Sequence, residues 1–114
     1  MEQHYKLYRV KELAGGDTEF VTALAQAFIE EVPADAEMLK THVQNKNYLE
    51  SYRTAHKMKP TVDLFELGVL QDLIEIQDWG KFEKKEIDIT PKLDIVLAAV
   101  KQATYEIKAD FNLA

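Results

Sequence analysis

The sequence of 114 residues has no cysteine, which excludes disulfide bonds, thiolate metal sites and cysteine nucleophiles. It has only four glycines and three prolines, and the glycines form no Gly-rich loop of the kind that binds phosphate groups. No apolar run approaches the roughly 20 residues of a membrane span, and the first residues lack the basic and apolar stretches of a signal peptide. These absences predict a soluble, cytoplasmic protein that does not associate with a membrane.

Positive charge is also scarce, since 14 Lys+Arg stand against 20 Asp+Glu and give a formal net charge of −6. This acidity argues against nucleic acid as the main partner. The exception is the segment from Lys40 to Lys59, where five basic residues and one acidic residue give a local charge of +4. A basic patch of this kind can steer an acidic partner.

Apolar residues recur at intervals of three and four along most of the chain, which is typical of amphipathic helices. The predicted elements, in chain order, are a short helix over 5–13, a long helix from Asp17 or Thr18 to 45–47, a third segment over 48–74 and a last helix with Thr90 as its cap and Pro91 as its first residue. Together they predict an all-α fold. We expect an antiparallel up-and-down four-helix bundle with a short extra N-terminal helix, forming a single domain over residues 1–114.

Two prolines interrupt this pattern. Pro33 is expected to bend or split the long helix, and the third segment is either one bent helix or two helices that meet near Pro60. Ile87 and Ile89 alternate with acidic residues, but a single strand would have no partner, so we expect a loop there.

The histidines occur singly, with no second ligand three or four residues after His42 or His56, so we expect no metal site and no cofactor in this chain. Helical geometry separates His56 from the stripe that includes Ala55 and Met58, because it lies about 100° around the helix from Ala55. An exposed imidazole with Lys59 one turn later is suited to receive a phosphoryl group. The same pattern also fits an ordinary surface histidine beside lysines.

Residues 55–59, Ala-His-Lys-Met-Lys, resemble the core motif of histidine-containing phosphotransfer (HPt) domains, which commonly reads Ala-His-x-Leu-Lys-Gly. Residues 28–33 are similar to the Phe-Leu-x-x-x-Pro stretch of the preceding helix in that family. The similarity covers roughly residues 20–73, about half of the chain. It departs from the family at two glycines, which fall here on Pro60 and Glu66.

The resemblance implies a phosphorelay intermediate without catalysis of its own. His56 would take a phosphoryl group from the aspartyl phosphate of one receiver domain and pass it to the aspartate of another, with Lys59 balancing the new negative charge. The partners would be response-regulator receiver domains, which bring Mg²⁺, and a hybrid histidine kinase, and the protein itself is expected to be a monomer. The residues expected to contact a partner are Tyr52, Arg53, Lys57, Pro60 and Asp63.

Two other interpretations remain open. The protein could be a docking or adaptor module that binds a receiver domain without being phosphorylated, which Pro60 favours. It could also be a helical structural protein in which His56 is ordinary surface and no receiver domain is bound.

Overall fold

The computed structural model describes residues 4–113, and within this range the regular secondary structure is entirely helical. The helices are α1 (Tyr8–Ala14), α2 (Thr18–Gln44), α3 (Tyr48–Leu64), α4 (Leu70–Lys81) and α5 (Thr90–Asp110). The all-α prediction is therefore confirmed, and Ile87 and Ile89 lie in a loop as expected. None of these five helices has an apolar stretch long enough to cross a membrane.

The long helix α2 begins where the sequence predicts it. The Asp17 carboxylate accepts hydrogen bonds from the backbone N–H groups of Glu19 (3.0 Å) and Phe20 (3.3 Å), which would otherwise lack partners at a helix start. The helix then continues through Pro33 to Gln44, so Pro33 does not split it.

Helix α3 begins after Asn47, whose side chain accepts from the Glu50 N–H at 3.3 Å, and it runs through Pro60 to Leu64. Of the two alternatives, a helix that continues through Pro60 is therefore the one observed, although it ends at Leu64. Apolar side chains before and after the proline, Met58 and Val62, are each 1% exposed, and their burial offsets the hydrogen bond that Pro60 cannot donate. The chain instead turns over 65–69, and the backbone at Glu66 is left-handed (φ 50°).

Because Pro60 lies inside α3, replacing it with alanine is expected to stabilise the protein. Proline in a helix interior costs about 3 kcal/mol relative to alanine, and part of this cost applies so near the end of α3, so we expect a gain of about 1 to 2 kcal/mol. Urea denaturation of Pro60→Ala would measure it. A change of less than a few tenths of a kcal/mol would mean that the native helix already accommodates the proline at no cost.

The core forms along the stripe of α3 that the spacing predicts. Ser51, Ala55, Met58 and Val62 are all buried, and α3 packs most extensively against α4 and next against α2. Helix α5 packs against α2 and α4, and α1 packs against α2. Because one side of α3 packs against α2 and α4, the opposite side of the helix faces solvent.

The N-terminal helix is shorter than predicted, because α1 begins at Tyr8 and residues 5–7 before it are not helical. Tyr5 is 3% exposed, its hydroxyl donates to the Asp110 carboxylate at 2.6 Å, and the Lys6 N–H donates to the Phe65 carbonyl at 2.8 Å. Burial, with the hydrogen bond to Asp110, raises the pKa of Tyr5. A large aromatic side chain gains more from this burial than from one further turn of helix.

The start of α5 also differs from the prediction. Thr90 is the first helical residue rather than the cap, and Pro91 follows it. The carboxylate that caps this end belongs to Asp88, which accepts from the Thr90 N–H at 3.0 Å. Hydrogen bonds from Thr90 lower the pKa of Asp88.

Candidate functional site

His56 lies on the solvent side of α3, next to the buried Ala55, and its side chain is exposed as the helical geometry predicts. Its ring lies beside that of Tyr52, one turn earlier, with the ring centroids 5.8 Å apart and the planes inclined at 30°. Both residues belong to a helix packed along its other side, so the imidazole is presented on a rigid support.

A residue of the neighbouring helix fixes the orientation of this imidazole. His56 Nδ1 lies 3.1 Å from Oε1 of Gln77 on α4, and Nε2 of the same amide faces the Asp78 carboxylate at 3.5 Å. An amide oxygen can only accept a hydrogen bond, so the neutral imidazole carries its proton on Nδ1. His56 Nε2 therefore keeps its lone pair, and it makes no hydrogen bond to residues 4–113.

Gly80 allows α4 to approach α3 closely enough for this contact. A Cβ atom at this position would lie 2.5 Å from the Tyr48 carbonyl oxygen and 2.8 Å from the Tyr52 backbone nitrogen. Gly80 follows Gln77 by three residues, so both lie on the side of α4 that faces α3. The short distance between the helices brings the Gln77 amide within reach of His56.

The two lysines near His56 have different surroundings. Lys57 Nζ forms an ion pair with Oδ1 of Asp35 on α2 at 3.1 Å, and the Asp35 side chain is 10% exposed. Lys59 is half-buried and has no ion pair among residues 4–113. Lys59, three residues after His56, is therefore the lysine whose ammonium group is available to an anion beside the ring.

The other residues expected to contact a partner are surface residues of α3, and two of them have partners within the chain. Arg53 pairs with Glu50 at 2.9 Å, and Asp63 pairs with Arg9 of α1 at 2.8 Å. The bond to Asp63 raises the pKa of Arg9. Pro60 is exposed, and Tyr52 is half-buried beneath the imidazole.

Sequence reasoning missed Gln77, Gly80 and Asp35. A signal for the first two exists in α4, where a glutamine and a glycine interrupt the otherwise apolar positions of the inner face. Asp35 carried no such signal, because an acidic residue on a helix is ordinarily solvated. The resulting arrangement, an exposed Nε2 with a lone pair and a nearby cation, can act as a nucleophile toward an anionic electrophile.

Loss of the hydrogen bond to Gln77 should change which ring nitrogen of His56 carries the proton. In Gln77→Leu the Nδ1–H loses its acceptor, worth about 1 kcal/mol, so the ratio of the two neutral tautomers should shift about fivefold toward Nε2–H. Nitrogen chemical shifts of His56 measured by NMR would report it. Gln77→Glu keeps an acceptor oxygen and should retain the Nδ1–H form, whereas identical spectra for all three proteins would contradict the assignment.

Comparison of the chain with protein-family models, with curated proteins and with solved structures produced no match.

Proposed function

We propose that this protein is a phosphorelay intermediate that carries a phosphoryl group on Nε2 of His56. The observation that carries the proposal is the exposed imidazole whose Nδ1 is held by Gln77, because this leaves Nε2 as the nucleophile. The resemblance of residues 55–59 to the HPt motif supports the same residue.

In the proposed reaction, Nε2 of His56 attacks the phosphorus of a receiver's aspartyl phosphate. An N–P bond forms, the P–O bond to the aspartate breaks, and the aspartate leaves as a carboxylate. The Nδ1 proton stays on the ring, where its hydrogen bond to Gln77 stabilises the positive charge that develops. Transfer to a second receiver reverses these steps.

Such a protein needs little machinery of its own, because phosphoryl transfer depends mainly on positioning and charge neutralisation. The receiver would supply Mg²⁺ and its own lysine, and this chain would supply His56 and Lys59 without further catalysis. The packing of α2 and α4 against both α3 and α5 supports the proposed antiparallel four-helix bundle, with α1 as the extra helix. The absence of cysteine is compatible with a place in the reducing cytoplasm.

The test is transfer of labelled phosphate from a panel of receiver domains, each phosphorylated beforehand with labelled acetyl phosphate. We expect at least one receiver to produce a labelled form of this protein that is lost in acid and kept in base, as a phosphoramidate bond requires. A receiver that binds the protein without transferring phosphate would instead show a docking module. The absence of both binding and transfer across the panel would support a structural protein.

Variants of Lys59 and Lys57 should show whether one specific lysine or the overall positive charge promotes phosphoryl transfer. Lys59→Ala removes the unpaired ammonium group near His56, so we expect transfer to slow roughly fivefold to tenfold. Lys57→Ala leaves Asp35 without its partner and should lower stability by about 1 kcal/mol while chiefly weakening partner association. Rapid-quench kinetics with urea denaturation would measure both, and equal effects on transfer would exclude a specific role for Lys59.

A further inference from the structure

A groove lies between the first half of α3 and the end of α4, and it reaches Tyr52, one turn before His56. Its volume is about 430 Å³, and its lining includes Tyr48, Leu49, Tyr52 and Gly80. Tyr52 connects the groove with His56, because it lines the groove and its ring also lies beside the His56 ring. Gly80, at which α4 packs closely against the backbone of α3, also lines the groove.

The groove combines an apolar surface with a cationic rim. Leu49 is 55% exposed, although leucine is an apolar residue, and Tyr48 is half-buried beside it. Lys46 and Lys81 also line the groove and have no ion pair among residues 4–113. The acidic residue in the lining, Glu83, has Lys85 4.0 Å away. This combination is complementary to a segment with an apolar side chain and flanking carboxylates.

The groove lies close enough to His56 to fall within an interface centred on this histidine. Leu49 precedes His56 by seven residues, which puts it on the same side of α3 and about 10 Å away along the helix. A specific interface covers about 800 Å² of each partner, which corresponds to a radius of roughly 16 Å around its centre. A domain centred on His56 therefore covers the groove.

We infer that the groove binds an acidic segment of the receiver domain, which inserts an aliphatic or aromatic side chain against Tyr48 and Leu49 and places its carboxylates near Lys46 and Lys81. This inference rests on the proposed function, because the receiver is its occupant. The groove contributes affinity and partner choice, whereas the chemistry takes place at His56. Lysines at the rim act mainly on association and its dependence on salt.

The test compares Lys46→Glu/Lys81→Glu with a control that changes the charge equally on another face, Lys101→Glu/Lys108→Glu on α5. The measurements use a receiver domain that binds or labels the wild-type protein. For the groove variant we expect binding to weaken at least tenfold at low salt, with the transfer rate at saturating receiver unchanged within twofold. The α5 control should change binding by less than threefold.

A second pair tests the apolar part: Leu49→Ala should weaken binding at least fivefold, and Ile95→Ala, an exposed apolar residue of α5, should not. Labelling of His56 by phosphoramidate, which needs no receiver, should be the same in all variants. Unchanged receiver binding in both groove variants would overturn the inference while leaving the phosphorelay proposal intact. A wild-type protein that neither binds nor is labelled by any receiver would overturn both, and binding without transfer would overturn only the phosphorelay proposal.

Discussion

Replacement of Gly80 with alanine is expected to destabilise the protein by about 3 kcal/mol, although alanine in a helix is ordinarily about 1 kcal/mol better than glycine. The added methyl group would lie 2.5 Å from the Tyr48 carbonyl oxygen and 3.2 Å from the Tyr52 Cα. These are backbone atoms of α3, so no side-chain rotation can relieve the contact. The two helices must separate, and α3 and α4 form the most extensive helix pair of the fold.

Thermal and urea denaturation would measure this effect, which corresponds to a fall of roughly 10 °C or more in melting temperature. The same variant should lose the His56–Gln77 hydrogen bond, because Gln77 moves away with α4, and the nitrogen shifts of His56 would then resemble those of Gln77→Leu. Gly68→Ala is the matched control. Among residues 4–113 nothing lies within 4 Å of its added Cβ, and its cost should be only the roughly 1 to 2 kcal/mol of a left-handed residue (φ 78°). A Gly80→Ala protein more stable than wild type would show that helix propensity outweighs the contact.

The helices could be predicted because their signals are local. The spacing of apolar residues along α2, α3 and α5 and the capping carboxylate of Asp17 depend only on neighbours a few residues away. The choice between the two alternatives at Pro60 stayed open for the same reason. Local rules consider only the hydrogen bond that Pro60 cannot donate and the carbonyl that its ring crowds. In the folded protein, the burial of Met58 and Val62 also stabilises the helix, by about 2 kcal/mol for each side chain.

The turn after α3 has a backbone feature that the sequence did not indicate. The second glycine of the HPt motif falls on Glu66, and the backbone of Glu66 is left-handed, the conformation that glycine adopts without strain. The position thus has the geometry expected of a glycine, although the residue is different. The sequence alone indicated only a departure from the motif there.

The site was predictable only in part, for a physical reason. The exposure of His56 follows from its angle on α3 and needs no knowledge of other helices. Gln77 and Asp35 reach the site from α4 and α2, at separations of 21 residues from His56 and 22 from Lys57. Their contacts depend on how closely and at what angle the helices pack, which a hydrophobic pattern does not specify.

Replacement of His56 with glutamine is expected to abolish phosphoryl transfer completely while changing stability by less than about 0.5 kcal/mol. The amide of glutamine has no nucleophilic lone pair comparable to that of Nε2, so no N–P bond can form. The side chain at this position is exposed, and its hydrogen bond to Gln77 can be replaced by one from the new amide. Acid-labile labelling from a phosphorylated receiver and thermal denaturation would measure the two effects.

The other two histidines provide the controls. His42 is half-buried in the last turn of α2, the ring of His4 is paired with the Glu106 carboxylate, and neither residue lies in the Ala-His-Lys-Met-Lys motif. His42→Gln and His4→Gln should therefore accept phosphate at the wild-type rate. Label retained in His56→Gln would assign the acceptor to another residue. Unfolding of His56→Gln would show that the imidazole supports the fold. This result would contradict the assignment of His56 as a dedicated nucleophile, because removal of such a residue changes the chemistry and leaves the helices in place.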